Sequence, residues 1–330
     1  MKNKIISIIL VLPIILICGI IDSSQADANF LAFALAKITL KVVDEKNIPV
    51  DNANVHIGFR VYTKGGWAST AKSVAGQTNK KGLFDGWALA NNFVAFTINK
   101  GGYYESTGDF KFKETSLGRW EPWNPEIIVV LRKIENPVPM YARDTKMSKL
   151  RIPASNKAIG FDLMEFDWIS PYGKGKHADF YFKLTGNYVS KNEYDMQLVL
   201  SFQGKYDGIQ VIEEDRSSGS VFKLPRLAYE AGYKKEKVLY WKEGPKQKTE
   251  TNFVRNNNNY IFRVRSEEKN DKLFRAIYGK ILGDIEFYPD SENSADIIFK
   301  YYLNPDFTRN LEFGENLFKD LTDLERVGIQ

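Results

Sequence analysis

Hydrophobic and polar residues alternate along much of this chain with a period of two, which is the pattern of a β-strand with one buried face. The clearest runs in the first half begin at Ile38, Val55, Phe93 and Ile127. Turn-forming residues separate such runs, notably at 44–47 and 79–82. Short strands at this spacing are typical of a β-sandwich. We therefore predict a sandwich over residues 36–134.

The second half repeats the alternation, at residues 158–163, 178–184, 196–202 and 260–264, with later strands expected at 277–287 and 295–302. Pro137 and Pro139 lie one residue apart and disfavour both helix and sheet, so we predict a linker at 135–140. Residues 141–330 then form a second β-rich domain, whose type the pattern does not specify. Four asparagines at 256–259 are interpreted as a hairpin loop, because Asn tolerates left-handed conformations.

A helical period occurs at the C-terminal end. Spacings of three and four occur among Leu317, Phe318, Leu321, Leu324 and Val327. This spacing predicts a short amphipathic helix over residues 315–327, packed on the sheet.

The N-terminal segment has the three parts of a secretory signal. Lys2 and Lys4 precede an apolar run over residues 5–21, and Ala26 and Ala28 form a small-x-small cleavage site. We predict a signal peptide over residues 1–28 and an exported protein, periplasmic or extracellular and possibly associated with the cell envelope. An uncleaved leader acting as a membrane anchor is one alternative. Lipidation of Cys18 is the other, although the large Ile17 precedes it.

The predicted sandwich carries four short motifs in order: Val43-Asp44, Ile48-Pro49-Val50 with Ala53 and Val55, Thr78-Asn79-x-x-Gly82-x-Phe84, and Lys100-Gly101-Gly102-Tyr103. Over residues 36–134 they resemble the carboxypeptidase regulatory-like, or transthyretin-like, β-sandwich family, which is itself similar to bacterial immunoglobulin-like modules. Asn79 stands where the family usually has Asp. Both residues cap such a turn, but the change weakens the case for an acidic ion site. The resemblance implies a structural or recognition module.

The fold class we expect is therefore all-β: an immunoglobulin-like or transthyretin-like sandwich followed by a second β-rich domain with a short C-terminal helix. Segments 167–175 and 301–305 resemble stretches of exported bacterial proteins of unknown function, which implies no activity.

Composition narrows the chemistry. The net charge of +5 is spread among interleaved acids and bases, so we expect no nucleic-acid partner. Cys18, the single cysteine, lies in the leader, which excludes a disulfide framework in the mature chain. The two histidines, His56 and His177, are far apart in sequence, and no nucleotide-binding or hydrolase motif occurs. We expect no metal, no cofactor and no catalysis.

Aromatic residues are the main candidates for binding. Trp120 and Trp123 lie in the segment 120–125, which we interpret as a loop, and Trp67 and Trp87 are further indoles of the first module. Exposed indoles beside polar groups stack on sugars or peptides. Trp168 and Tyr172 are the corresponding candidates in the second domain.

Carboxylates provide the alternative site. In an extended strand Glu165 and Asp167 would face the same side and Asp162 the other. Two carboxylates beside aromatic residues are typical of a glycoside hydrolase, which needs one as acid and the other as base or nucleophile.

Three functions remain open. The leading one is a non-catalytic envelope or secreted protein that binds a protein or glycan partner through loops and strand edges. The second is a glycan-active hydrolase using Glu165 and Asp167. The third is a structural component of a cell-envelope assembly, with a membrane contact only if the leader is uncleaved.

Overall fold

The computed structural model describes residues 34–62, 69–148, 150–214, 218–245, 247–253 and 257–329. Every regular element within these ranges is a β-strand, so the predicted all-β class is confirmed. Within the same ranges no helix is long and apolar enough to cross a membrane. The predicted signal peptide at 1–28, and also Trp67 and Asn256, lie outside the described residues.

Nine strands belong to the first module: β1 (Ala34–Asp44), β2 (Asn54–Tyr62), β3 (Ser69–Gln77), β4 (Leu83–Ala90), β5 (Phe93–Asn99), β6 (Ser106–Lys111), β7 (Glu114–Ser116), β8 (Arg119–Glu121) and β9 (Glu126–Leu131). Strand β1 alternates between buried and half-buried residues over most of its length, as its period of two requires. It lies at the centre of one sheet, antiparallel to β4 and parallel to β9 and β8. We call this sheet the front sheet.

The second sheet of the sandwich, the back sheet, has the order β17-β6-β5-β2-β3, where β17 is Gly219–Ser220. Apolar residues from both sheets meet between them in one core, which includes Ile38, Leu40, Ile57, Phe59 and Ile98. The two sheets thus form the predicted sandwich. Its edge strand β17 (Gly219–Ser220) comes from the second half of the chain and pairs with Ser106 and Thr107 of β6.

The remaining strands belong to the second half: β10 (Val138–Asp144), β11 (Leu150–Arg151), β12 (Ile159–Asp162), β13 (Asp167–Trp168), β14 (Phe180–Ser190), β15 (Glu193–Ser201), β16 (Gly208–Glu213), β18 (Glu236–Gly244), β19 (Gln247–Thr251), β20 (Asn258–Lys269), β21 (Lys272–Ile281), β22 (Glu286–Ser291), β23 (Ser294–Ile298), β24 (Lys300–Asn304) and β25 (Phe313–Asn316). They form two six-stranded sheets, β16-β20-β21-β24-β10-β25 and β13-β12-β14-β15-β18-β19, and a three-stranded sheet, β11-β23-β22. Their shared core is rich in aromatic rings, among them Phe161, Phe180, Phe182, Phe262 and Tyr301.

Strand β10 begins at Val138, inside the segment predicted to be a linker. Pro139 is tolerated there because it falls where the pairing with β25 shifts register, between Val138 and Met140. The antiparallel pairing with β24 begins only at Tyr141. The chain therefore enters the second half as a strand.

The predicted C-terminal helix is not formed. Residues 313–316 are strand β25, which pairs in parallel with β10. The Asn316 amide then holds the chain extended by bonding both the N–H and the carbonyl of Ala142. Further on, Glu325 closes a single turn by accepting hydrogen bonds from the backbone and hydroxyl of Thr322. The apolar spacing is therefore not that of a helix face: Leu321 is buried, whereas Leu324 is 64% exposed.

The asparagine run is also not simply a loop, since Asn258 and Asn259 are buried at the start of β20. Asn258 Nδ2 donates to Asp284 Oδ2 at 2.9 Å. Asn259 Oδ1 accepts from the backbone N–H of Gly283 at 3.1 Å. Each amide thus replaces a hydrogen bond that water would supply at a loop.

Besides the covalent connection and the pairing of β17 with β6, side-chain contacts join the two halves of the chain. Arg132 Nη1 donates to three successive carbonyls, those of Phe222, Lys223 and Leu224, at 2.9, 3.0 and 2.9 Å. Its guanidinium also lies over the Phe222 ring, 4.3 Å from the centroid. Arg132 follows β9 of the sandwich, so it holds the segment after β17 against the first module.

Candidate functional site

The outer face of the front sheet carries exposed aromatic and apolar side chains. In β4 the small residues Gly86, Ala88 and Ala90 are buried, so Trp87 and Leu89 point outward and are 58% and 57% exposed. Strand pairing sets Trp87 beside Lys37 and Leu89 beside Leu35 of β1. Large apolar residues facing solvent at adjacent positions of one sheet are a mark of an interaction site.

Trp123 lies on the other side of β1. It follows β8, whose residue Arg119 pairs with Leu35. The Arg119 guanidinium lies over the Trp123 ring, 5.3 Å from the centroid, and Arg119 Nε is 3.5 Å from Glu121 Oε1. Glu121 in turn accepts a hydrogen bond from the Trp123 backbone N–H at 2.7 Å. The half-buried indole is thus covered on one side by a cation, and the backbone of the same residue is held by that cation's carboxylate partner.

The loop that carries Trp123 is tied to β1. Thr39 Oγ1 donates to Asn124 Oδ1 at 2.9 Å, and the Thr39 N–H donates to the Pro125 carbonyl at 3.0 Å. On the opposite side of β1, Lys37 Nζ forms an ion pair with Asp85 Oδ2 at 3.3 Å. Polar groups therefore lie on the sheet between the two indoles.

We call the group Lys37, Trp87, Leu89, Arg119 and Trp123 the aromatic face. Leu89 and Arg119 flank Leu35 on its two neighbouring strands, so their backbones lie about 10 Å apart, two interstrand spacings. Sequence reasoning named Trp123 as a site residue but missed the position of Trp87. The alternation of large and small residues in β4 is the signal that could have placed it.

Trp120 is not an exposed indole, contrary to expectation. It is 8% exposed, and its Nε1 donates to the Ala90 carbonyl at 2.9 Å. The cause is strand geometry: Trp120 lies in β8 between Arg119 and Glu121, which point to the outer face, so its own side chain points inward. It stacks on Phe112 in the sandwich core at 6.4 Å between centroids.

Trp168 is also part of a core, that of the second half. It is 8% exposed and packs edge-on against Phe161 and Phe182, with centroids 5.1 and 6.0 Å away. Tyr172 is half-buried and lines a surface pocket. The predicted aromatic residues therefore do not form one site: one indole remains on the aromatic face, and one phenol lies at a separate pocket.

The predicted carboxylate pair is not arranged on one extended strand. Glu165 lies in a turn, and Phe166, at φ 53°, bends the chain before Asp167 begins β13. Glu165 pairs with Lys176. Asp167 accepts hydrogen bonds from the backbone N–H groups of Trp168 and Lys174, both at 2.8 Å. Both carboxylates thus serve the local loop.

Asp162 organises the same loop. It accepts backbone hydrogen bonds from Met164, Glu165, Lys176 and His177 at 2.9, 3.2, 2.9 and 2.9 Å. Burial raises the pKa of Asp162, but these N–H donors and Arg265 outweigh burial and hold the pKa below its ordinary value. Asp162 is therefore an anionic fixture of the fold.

Within the described residues, no cluster of three or more His, Cys, Asp or Glu side chains is arranged to hold a metal ion. His56 and His177 are both exposed, on the back sheet and on the 162–177 loop.

The fold and the site thus define an all-β protein whose sandwich presents an aromatic face. No family model matches the chain, and no curated protein matches it. Among solved structures, the chain is similar to 3-chlorocatechol 1,2-dioxygenase from Rhodococcus opacus 1CP, with a TM-score of 0.26 and 10% identity over 32% of this chain. That match spans 62% of the dioxygenase.

A second similar protein is the shaft pilin SpaA of Lactobacillus rhamnosus GG, which is matched in the structures of two of its single-residue mutants. For the first mutant the TM-score is 0.22 at 9% identity, over 86% of this chain and 96% of the pilin. For the second it is 0.20 at 10% identity over the same shares. At such low TM-scores these likenesses carry no information about function.

Proposed function

We propose that this chain is an exported, non-catalytic protein that binds a glycan through the aromatic face. The observation that carries the proposal is Trp87, an indole more than half exposed on the same sheet face as the Arg119-stacked Trp123. Sugar rings offer apolar C–H faces to such indoles, and tryptophan combines an apolar surface with a polar N–H. Export rests on the leader at residues 1–28.

The polar groups between the rings favour a glycan over a protein partner. Lys37, Asp85 and Asn124 lie on this face and provide a cation, an anion and an amide. Sugar hydroxyls both donate and accept hydrogen bonds, so they use such a mixture well. A protein interface instead has a core depleted in charged residues.

The hydrolase alternative has less support. Glu165 and Asp167 are engaged by Lys176 and by backbone N–H groups, as described above. A glycosidase needs one carboxyl group that can give a proton and another that faces the sugar ring.

The test is binding of the mature chain to a panel of soluble polysaccharides by affinity electrophoresis. We expect retardation by at least one glycan. Trp87→Ala should weaken binding about tenfold, the factor expected for losing one stacking contact of about 1.4 kcal/mol. Trp87→Phe should keep most of the affinity.

The matched control is Phe274→Ala, because Phe274 is 58% exposed, as Trp87 is, but lies on β21 of the second half. It should bind like the unmodified chain. The proposal fails if no glycan retards the protein, or if Trp87→Ala and Phe274→Ala behave alike.

A further inference from the structure

The second half contains a surface pocket that is distinct from the aromatic face. Its volume is about 340 Å³, within the range of small-molecule sites. Tyr172 and Tyr181 contribute two phenol rings, and Ile169, Ala158 and Ala178 contribute apolar surface.

The floor of this pocket is closely packed. Gly160 of β12 pairs with Tyr181 of β14. A Cβ atom at Gly160 would lie 2.6 Å from Ala178 Cβ and 2.9 Å from Ile169 Cγ1, so only glycine fits without movement. The Tyr181 ring lies over the same backbone, with Cε1 3.5 Å from that Cβ position. The walls are therefore set by the packing of the backbone as well as by side chains.

The loop that carries Tyr172 is fixed as well. The Tyr172 N–H donates to the Ile169 carbonyl at 3.1 Å, and the Ile169 N–H donates to the Gly160 carbonyl at 2.9 Å. The following residues, Lys176 and His177, are bound to the Asp162 carboxylate. A pocket held in place before its ligand arrives loses little entropy on binding.

The charged side chain in the lining of the pocket is a cation. Among the described residues that line it, Lys157 is the one with a charged side chain, and no carboxylate is present. Lys157 Nζ lies 4.7 Å from the centroid of the Tyr172 ring, at the border of the apolar surface. An anionic group bound there would meet an ammonium ion and no repelling carboxylate of the lining.

We propose that this pocket binds a small ligand with a planar apolar ring and a carboxylate. The ring lies against Tyr172, Tyr181 and Ile169, and the carboxylate faces Lys157. The aliphatic floor and the flat phenols suit the ring, and the single ammonium suits one negative charge.

The test uses benzoate and its neutral isostere benzamide, titrated into ¹⁵N-labelled protein and followed by NMR shifts of the Ile169 and Tyr172 amides. We expect benzoate to bind with millimolar affinity, about threefold to fivefold more tightly than benzamide, which is the upper part of the range for an exposed ion pair. Lys157→Met should abolish this preference while retaining weak binding of both probes. Tyr172→Ala should weaken both.

Two controls make the result specific. Lys183→Met removes an exposed lysine from the same strand as Tyr181 and should leave the benzoate preference unchanged. Trp87→Ala should also leave it unchanged, so failure of glycan binding and failure of this proposal are distinguishable. Equal affinity for the two probes, a preference that survives Lys157→Met, or no shifts up to about 20 mM benzoate would each overturn the proposal.

Discussion

At the scale of single residues, the most unusual group is the Lys280 ammonium. Lys280 is fully buried on β21, and its Nζ lies 4.9 Å from the ring centroids of both Phe222 and Tyr302. Burial lowers the pKa of Lys280 to about 7; the Arg132 charge acts in the same direction, and Glu312 opposes it. The π-electrons of the Phe222 and Tyr302 rings offset part of the free-energy cost of burying the charge.

This lowered pKa makes stability depend on pH. An unfolded lysine keeps its proton up to a pH of about 10.4. Between pH 7 and 10 the unfolded chain therefore binds more protons than the native one, and stability rises with pH, by at most about 1.4 kcal/mol per pH unit. We expect urea unfolding at pH 7, 8.5 and 10 to show this rise, and Lys280→Met to remove it.

The control for this measurement is Lys272→Met, which changes an exposed lysine of the same strand. It should leave the pH dependence as it is in the unmodified chain. A slope that is the same in Lys280→Met would mean that Lys280 does not lose its proton in this range.

At the scale of elements, a bulge in β20 gives one arginine a special role. The register with β21 shifts between Val264 and Glu267, and Arg265 within the shift has a φ of 51°. Its guanidinium binds Asp179 with Nε at 2.7 Å and Nη2 at 2.8 Å, and Asp162 with Nη2 at 2.9 Å. The bulge thus directs a side chain of one sheet onto two carboxylates beside another.

Removing this arginine should be costly. Arg265→Met leaves the buried Asp179 without its cation, which should lower the free energy of unfolding by about 3–5 kcal/mol in urea titrations. Adding Asp179→Asn should restore part of the loss, because one of the two carboxylates that Arg265 binds is then neutral. Arg275→Met breaks an exposed pair with Glu267 and should cost about 1 kcal/mol or less. Equal losses in the two arginine variants would contradict the assignment.

The sequence predicted elements well where burial follows a local period. The alternation in β1, β14 and β15 appears directly in their burial. It failed where a partner remote in sequence decides. The C-terminal residues look helical until Asn316 binds Ala142, and Pro139 looks like a linker until β25 provides a register shift. A single sequence does not show such partners.

The sequence predicts only part of the aromatic face, because contacts between segments remote in sequence again decide the rest. The sequence identifies Trp123 because an indole beside prolines indicates an exposed loop. It places Trp120 in the same loop because β8 is only three residues long, which is too short to show a period of two. Trp87 belongs to the site through the pairing of β4 with β1, which sets it beside Lys37, 50 positions earlier in the sequence.

At the scale of the whole molecule, the two halves meet around Glu312. This carboxylate is almost fully buried and accepts hydrogen bonds from the Tyr104 hydroxyl at 2.8 Å and from the backbone N–H groups of Glu135 and Asn136 at 2.9 and 2.8 Å. Arg226 Nη1 lies 3.1 Å away. Burial opposes its ionisation, but these donors prevail and lower the pKa of Glu312.

A lowered carboxyl pKa contributes stability that is complete above the unfolded value of about 4.3 and is lost as pH falls through the folded value. We expect Glu312→Gln to destabilise the protein at pH 7, and the difference from the unmodified chain to shrink below about pH 4.3. Thermal unfolding of both proteins between pH 7 and 3 measures this difference. The exposed Glu315→Gln should show little effect. A difference that stays constant with pH would exclude the charge as its cause.

The two-residue strand β17 has a consequence for anyone who divides this polypeptide. Gly219 and Ser220 pair with part of β6. A fragment that ends at residue 134 would therefore expose the edge of β6, and an exposed strand edge pairs readily with other chains. The other fragment would also lose the three hydrogen bonds that Arg132 donates to its backbone carbonyls. Insolubility of either fragment would then result from the absence of the other, and we expect co-expression of the two fragments to restore solubility.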